Sequence, residues 1–426
     1  MRVLMLGWEF PPHISGGLGT ACFGITKGLT HRGVEVIFVL PRIKGERRSS
    51  HVRLISASEV PVCAKQIEED PFVRKMDVRL IDSILKPYLG EQQYRAILSG
   101  LRLEKTERKT GGEGFYHISG EYGPNLMSEA IRYGEVVGML ARKEKFDIIH
   151  GHDWMTVFAG IHARKVSGKP YVYHAHAMEF DRSGENINQE VFEIEKYGME
   201  SADHIIAVSH YTKNMIVSRY GIRPEKISVV HNAVSRDGGA GIGPVKKKPG
   251  EKIVLFLGRI TFQKGPDYFI EAASLVLRFC PDVTFVMAGT GDMMPRMIER
   301  AAELRIGKKF HFLGFVSGLE IEQIYAMSDL YVMPSVSEPF GISPLEAMLH
   351  DVPVIISKQS GVAEILRNVL KVDFWDIIEL ANKIIAVLSY PALSREMVER
   401  SRDALRTIHW ENAAGKIISV YHALAH

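Results

Sequence analysis

The chain has 426 residues, a net charge of +3, 46% hydrophobic and 24% charged residues, a balance ordinary for a globular protein and too weakly basic to argue for nucleic acid. Its length exceeds the roughly 250–300 residues at which one core stops growing, so two domains are expected. No apolar run reaches the roughly 18 residues of a membrane span, and three widely spaced cysteines, Cys22, Cys63 and Cys280, offer neither a disulfide framework nor a metal knuckle; a reducing, cytoplasmic setting is expected.

Along the chain, short β-rich apolar runs alternate with longer helical patterns, the signature of parallel sheets covered by helices. The first half predicts strands at Val3 to Leu6, Val34 to Leu40, Ile148 to His150, Tyr171 to His174, Ile205 to Val208 and Ile227 to Val230. Helical periodicity covers residues near 62 to 100 and 125 to 145, and Lys105 to Gly114 reads as an exposed loop or hairpin. The glycine- and lysine-rich stretch 236 to 250 has the composition of a linker. Strands then resume at Ile253 to Leu257, Thr284 to Ala288, Lys309 to Leu313, Leu330 to Met333 and Val354 to Ile356. The expected boundaries are an amino-terminal domain over 1–235, joined by 408–426 crossing back, and a carboxyl-terminal domain over 251–407.

Glycines follow a strand in both halves. Ser15-Gly16-Gly17-Leu18-Gly19 leads into a helix from about Thr20 to His31, so its backbone amides can face a ligand. Gly258-Arg259 and Lys264-Gly265 bring two cations to the rim of the second sheet, suited either to a diphosphate or to pairing with Asp267 or Glu271. The basic clusters Lys44 to Arg48, Arg102 to Lys109 and Lys246 to Lys248 read as solvated loops. Glu338 and Glu346 stand eight positions apart across a turn that begins a helix. Such acids often cap, but a carboxylate in the loop and one in the helix can also divide a nucleotide sugar between them, with a phosphate on the amides between.

Three strand ends carry histidine: His150-Gly-His152-Asp153-Trp154, His174-Ala-His176-Ala-Met-Glu179, and His231-Asn232. The i, i+2 pairs share a face and offer metal ligands. With no helical His-Glu-x-x-His and no cysteine partner, polar groups lining a sugar cleft are the preferred reading, and no metal is expected.

The set Gly258-Arg259-x4-Lys264-Gly265 with Pro334-Ser-x-x-Glu338-Pro-Phe-Gly-x-x-x-x-Glu346-Ala closely resembles the retaining GT-B glycosyltransferases of the glycogen synthase and family 4 type. The Gly-Gly-Leu loop, the His-Asp-Trp and His-x-x-Glu strand ends, Ser201-Ala-Asp203, Val208-Ser209 and His409-Trp-Glu-Asn-Ala-Ala extend the likeness over nearly the whole chain, in order. The resemblance implies an α/β fold of two Rossmann-like doubly wound domains facing each other across a cleft. It implies a retaining, metal-independent hexosyltransferase with no cofactor, whose partners are a nucleotide diphosphate sugar, glucose being the favoured sugar, and a glycan acceptor; neither nucleic acid nor a membrane is called for. By the same resemblance His176, Glu338 and Asp153 are the catalytic candidates, with Glu338 and His176 on the donor sugar. Arg259 and Lys264 would stabilise the leaving diphosphate. Phe340, Gly341, Ile342 and Ser343 would meet sugar and phosphate, Glu346 the ribose, and Gly16 and Gly17 the donor from the opposite loop. An α-glucan acceptor is favoured, a cell-surface glycan or lipid-linked acceptor is the alternative, and an epimerase sharing the layout is a remote one. Two departures stand out: Ile14 occupies the place of the lysine in the Lys-x-Gly-Gly-Leu loop of glycogen synthases, and Asn368 to Asp376 lacks the family's Gly-Leu-Leu-Val turn.

Overall fold

A computed structural model describes residues 1–11, 16–43, 51–63, 113–114, 118–120, 126–235 and 250–425. At the start of the expected helix near 62 to 100, Val62–Cys63 is a short strand instead; the rest of that stretch, Ile14 and most of the linker at 236 to 250 lie outside the described residues.

The amino-terminal sheet comprises β1 (Arg2–Leu6), β2 (Glu35–Leu40), β3 (Arg53–Ser56), β6 (Ile148–His152), β7 (Tyr171–Ala175), β8 (His204–Ala207) and β9 (Ile227–Val229). Its order is β3-β2-β1-β6-β7-β8-β9, and its strand pairs are parallel. The short β4 (Val62–Cys63) and β5 (Glu113–Gly114) pair antiparallel apart from it. The carboxyl-terminal sheet, also parallel, runs β12-β11-β10-β13-β14-β15. Its strands are β10 (Lys252–Leu257), β11 (Val283–Ala288), β12 (Phe310–Gly314), β13 (Leu330–Met333), β14 (Val354–Ser357) and β15 (Leu370–Val372).

Why these runs are strands is clear from their burial. Val3, Leu4, Met5 and Leu6 are all fully buried, as a strand covered on both faces by crossover helices must be. The edge strand β12 instead alternates, with Phe310 inside and His311 and Leu313 outside. Asn188 caps α5 (Gln189–Ser201) and Ser209 caps α6 (His210–Tyr220), each side chain accepting from first-turn amides. The other amino-terminal helices are α1 (Gly17–His31), α2 (Leu126–Lys143), α3 (Val157–Ser167) and the short α4 (Glu179–Ser183). The second sheet is covered by α7 (Pro266–Phe279), α8 (Met294–Glu303), α9 (Leu319–Met327), α10 (Ser343–Leu349), α11 (Ile377–Ser389) and α12 (Pro391–Leu405).

The last helix, α13 (Trp410–Leu424), belongs to the core of the first sheet: Trp410, Ala414, Ile417 and Tyr421 pack with Val3, Met5 and Leu29. It can dock because α1 has glycines where it approaches. A β-carbon at Gly24 would lie 2.0 Å from the Trp410 ring, and one at Gly28 would lie 2.6 Å from the Trp410 carbonyl oxygen. The chain crosses between the domains twice, at Val234 and at His409, and these residues form a parallel bridge.

Both sheets reverse strand order at one point, between β1 and β6 and between β10 and β13. In doubly wound sheets the crevice at that switch point, beyond the carboxyl ends of the strands, is where ligands bind. The segments leaving those four strands carry Gly16 and Gly17, Asp153, Arg259 and Lys264, and Glu338 to Glu346. Among the described residues no single helix is long and apolar enough to cross a membrane.

Candidate active site

The carboxyl-terminal rim is built by two segments. After β10 the chain turns through Gly258 and Arg259 into a single 3-10 turn, Phe262–Lys264. The Gln263 carbonyl accepts the Val336 amide at 2.9 Å, tying this turn to the loop after β13. There Lys264 Nζ donates to Glu338 Oε2 at 2.5 Å, and Ser335 Oγ donates to the same oxygen at 3.1 Å. The carboxylate side chain is only 8% exposed and the lysine 21%, so the pair sits in a weakly solvated rim and each charge depends on the other. Arg259 is exposed, with Nη2 donating to Gln263 Oε1 at 3.2 Å.

Gly341 takes φ 98°, a left-handed value that turns the chain from Glu338 into α10 without a side chain in the way. Phe340 is buried at 2%, packed with Leu345 and Val362 in the core of its own domain, and its carbonyl accepts the Val362 amide at 2.7 Å. Ile342 packs between the two domains' cores. Ser343 opens α10 and its carbonyl accepts the Tyr325 hydroxyl at 3.2 Å. The same hydroxyl donates to Glu346 at 3.1 Å. Burial pushes the Glu346 carboxyl above its ordinary range, and the Tyr325 donation works against that shift.

The amino-terminal rim rests on Asp153, a non-glycine residue held at φ 57°. Its carboxylate accepts the His176 amide at 2.7 Å and the Ala177 amide at 3.3 Å, which fixes the backbone that carries the His176 ring. Burial raises the Asp153 carboxyl to about 7, against the pull of those amides and of Arg182. Glu179 faces inward and holds α4, accepting from Arg182, Ser183 and the Asn188 amide. On the opposite loop the Gly16 amide donates to Glu9 at 3.2 Å, and a β-carbon at Gly16 or Gly17 would meet open space.

The histidines are placed differently from the expected cleft lining. His150, His152 and His174 are 0%, 0% and 1% exposed; β6 and β7 are central strands, so these side chains lie beneath the cleft, while His176 and His231 reach intermediate exposure. They form a ladder. Tyr421 of α13 meets His150 Nδ1 at 2.5 Å, His150 Nε2 meets His174 Nδ1 at 3.0 Å, and His152 Nδ1 meets His176 Nε2 at 2.9 Å. Burial drives all four rings toward the neutral form, His150 and His176 to about 3. His150, His152 and His174 bring ring nitrogens within 4.8 Å of one another. However, His150 stacks on His152 at 4.6 Å and His174 on His176 at 4.3 Å. Within the triple His174 is tilted to both other rings, and among the described residues His152 Nε2 and His174 Nε2 have no hydrogen-bond partner.

The two rims are bonded together. Ser337 Oγ donates to Asp181 at 2.5 Å, and Tyr211 OH lies 2.9 Å from Ser337 Oγ. Ser209 Oγ donates to the Pro339 carbonyl at 2.6 Å. Glu364 accepts the His210 and Tyr211 amides at 2.9 and 2.7 Å and lies 2.8 Å from His231 Nε2. Asp181, Ser337 and Glu364 were not among the sequence-level candidates. The signal present was Ser-Glu-Pro at 337–339, in which the serine reads as loop filler until its partner is seen.

Residues 107–237 match the model for Glycosyltransferase Family 4, and residues 242–404 the model for Glycosyl transferases group 1. A glycosyltransferase of Methanocaldococcus jannaschii is 27% identical, covering 99% of this chain and 98% of its own. Glycogen synthase of Mycobacterium tuberculosis is 25% identical, over 99% and 95%. Among solved structures, sucrose-phosphate synthase from Thermosynechococcus elongatus has a TM-score of 0.72 at 17% identity, covering 99% and 98%. Anabaena HepE in complex with UDP and glucose has 0.68 at 18%, covering both chains fully at 100%. Two family models matched in chain order, on two Rossmann-like sheets whose switch points carry the site, establish that the chain belongs to the group 1 and family 4 glycosyltransferases of GT-B fold.

Proposed function

We propose that the protein transfers a hexose, with glucose and a UDP donor favoured, from a nucleotide diphosphate sugar to a hydroxyl of an α-glucan, with retention of anomeric configuration and without a bound metal, in the cytoplasm. The observation that carries this reading is the Lys264–Glu338 pair on one rim, joined through Ser337 and Asp181 to the rim that bears His176 and Asp153. Whole-length likeness to a glycogen synthase and likeness of fold to HepE, solved with UDP and glucose, support the choice of sugar and nucleotide.

In this mechanism Lys264 and Arg259 offset the charge that grows on the leaving diphosphate, the task a metal performs elsewhere. Glu338 is released from Lys264 as the donor enters and engages the sugar hydroxyls. Glu346, kept low in solvent beside Tyr325, accepts from the ribose. His176 donates to the sugar from the opposite rim, and Asp153 keeps its backbone in place. The acceptor hydroxyl attacks on the face the diphosphate leaves and passes its proton to that phosphate. Closure of the rims excludes water and limits hydrolysis of the donor.

Nucleotide sugars screened by thermal shift, followed by trials with maltooligosaccharides, test the reading. Stabilisation by UDP-glucose and growth of an α-linked product are expected. Stabilisation without transfer to a maltooligosaccharide moves the acceptor to a cell-surface or lipid-linked glycan, as in the Escherichia coli diphosphoundecaprenol galactosyltransferase, 27% identical over 66% of this chain. No response to any nucleotide sugar overturns the donor assignment.

A further inference from the structure

Of the four tryptophans in the chain, Trp8, Trp154 and Trp410 are at most 8% exposed, whereas Trp375 is 57% exposed. It lies in the turn between β15 and α11, inside the segment 368 to 376 that departs from the family's Gly-Leu-Leu-Val turn. A single exposed aromatic residue needs no explanation, but this ring is the outer end of a row. It meets Phe374 edge to face at 4.8 Å, and Phe374 meets Tyr268 of α7 in the same way at 5.1 Å. Ile378, 68% exposed, follows in the first turn of α11.

The row borders the candidate donor site. A β-carbon at Gly265, next to Lys264, would lie 3.2 Å from the Tyr268 ring. On the other flank the Gln359 carbonyl accepts the Glu338 amide at 3.0 Å, and the Gln359 side chain donates to Asp373 at 3.0 Å. Lys358 Nζ donates to the same carboxylate at 2.7 Å. The turn leaves the carboxyl end of β15, as the Glu338 loop leaves that of β13, so the rings extend the same rim outward.

The chemistry there is two-sided: ring faces fringed by an ion pair. A pyranose is two-sided in the same way, with a face of C–H groups and an edge of hydroxyls. The weakly positive C–H groups suit the negative face of an aromatic ring, and the hydroxyls can bond to the charged fringe. A second protein chain fits less well. Two exposed apolar side chains beside the exposed Lys358 and Asp376 are too few for the roughly 800 Å² per partner of a stable protein interface.

We propose that Trp375, held by Phe374 and Tyr268, is a stacking site for a hexose chain that anchors the acceptor glycan on the outer rim while the end of that chain enters the cleft. The identity of the chain as an α-glucan rests on the function proposed above. Chains long enough to fill both the cleft and the ring row gain from the site, and shorter ones do not.

Because the other three tryptophans are buried, tryptophan emission reports on this ring. Maltoheptaose added to the full chain without donor is expected to shift the emission to shorter wavelength and to shield it from acrylamide quenching. Trp375→Ala should abolish both changes and weaken maltoheptaose binding, read by calorimetry, about fivefold or more, with the melting midpoint held. In transfer assays it should raise the KM for maltoheptaose by a similar factor and leave the donor KM and the KM for maltotriose as they are; Trp375→Tyr, which keeps a ring face, should restore most of the loss. Transfer to maltoheptaose with emission unmoved and a KM indifferent to Trp375→Ala overturns the stacking site and leaves the proposed function standing. Trp375-dependent binding without transfer upholds the site and overturns the α-glucan as acceptor. Neither binding nor transfer overturns both.

Discussion

Ser337 Oγ lies 2.5 Å from the Asp181 carboxylate, and the two residues belong to different domains. Burial raises Asp181 to about 6, and the serine's donation acts against that rise, so the bond is strongest when the acid is charged. It is one of the bonds that join the two rims. Ser337→Ala leaves a buried acceptor short of a partner, at about 1–3 kcal/mol, and part of that loss falls on the closed state. The expected outcome is a raised donor KM and a larger share of donor hydrolysis relative to transfer, measured by product analysis with and without acceptor. A ratio equal to that of the native enzyme would remove this bond from the mechanism.

Lys264→Ala is expected to lower kcat about a hundred- to a thousandfold, the cost of losing one preorganised group that meets developing charge. It also strands the buried Glu338 carboxylate, so the melting temperature falls as well. Pairing it with Glu338→Gln separates the two effects. The double variant should regain stability and none of the turnover, and recovery of turnover would assign Lys264 a structural role alone.

Stability is expected to fall steeply below about pH 6.5. The four ladder histidines have depressed pKa values in the folded state, so the stability they contribute is present above the unfolded value and lost as pH falls toward their folded values. Asp153 and Asp181 have raised values and act in the opposite sense, losing their contribution as pH rises through about 6 to 7. Below about pH 6.5 the unfolded chain thus holds more protons on the histidines and fewer on the acids, and with four rings against two carboxyls the net stability falls as pH falls. Urea denaturation across this range measures it, and His174→Asn should flatten the slope. An unaltered slope would show that the ring titrates alike in both states.

Gly24→Ala places a methyl where the Trp410 ring lies. Displacing α13 is expected to cost about 1–3 kcal/mol. Trp410→Ala alone should cost about 3–5 kcal/mol through the cavity it leaves. The double variant should be less destabilised than the sum of the two, with a coupling of about 0.5–3 kcal/mol; strict additivity in denaturation curves would mean that the two residues do not compete for one space.

Much of the fold was legible because parallel strands buried on both faces read as uninterrupted apolar runs, as at Val3 to Leu6 and Leu330 to Met333, where expectation and structure differ by a residue at most. Two of the missed strands, Arg53–Ser56 and Leu370–Val372, lie at sheet edges; with one neighbour each, they need no such run and carry charge and polarity instead. Of the candidate site, the residues that leave strands at the switch points were legible, because motif spacing there reflects backbone geometry. What joins the domains was not. Ser209 to Pro339 and Glu364 to the start of α6 span 130 and 153 or more positions, and no local spacing encodes such a meeting. The histidines misled because the i, i+2 rule says which residues share a face and nothing of whether that face is covered.

The paired crossings at Val234 and His409, together with α13 returned to the first domain, have a mechanical meaning. Two chain segments running side by side behave as the leaves of a flexure: they yield to bending about the axis across them and resist shear and twist. The doubled strap thus constrains how the rims that carry Lys264 and His176 can move relative to each other.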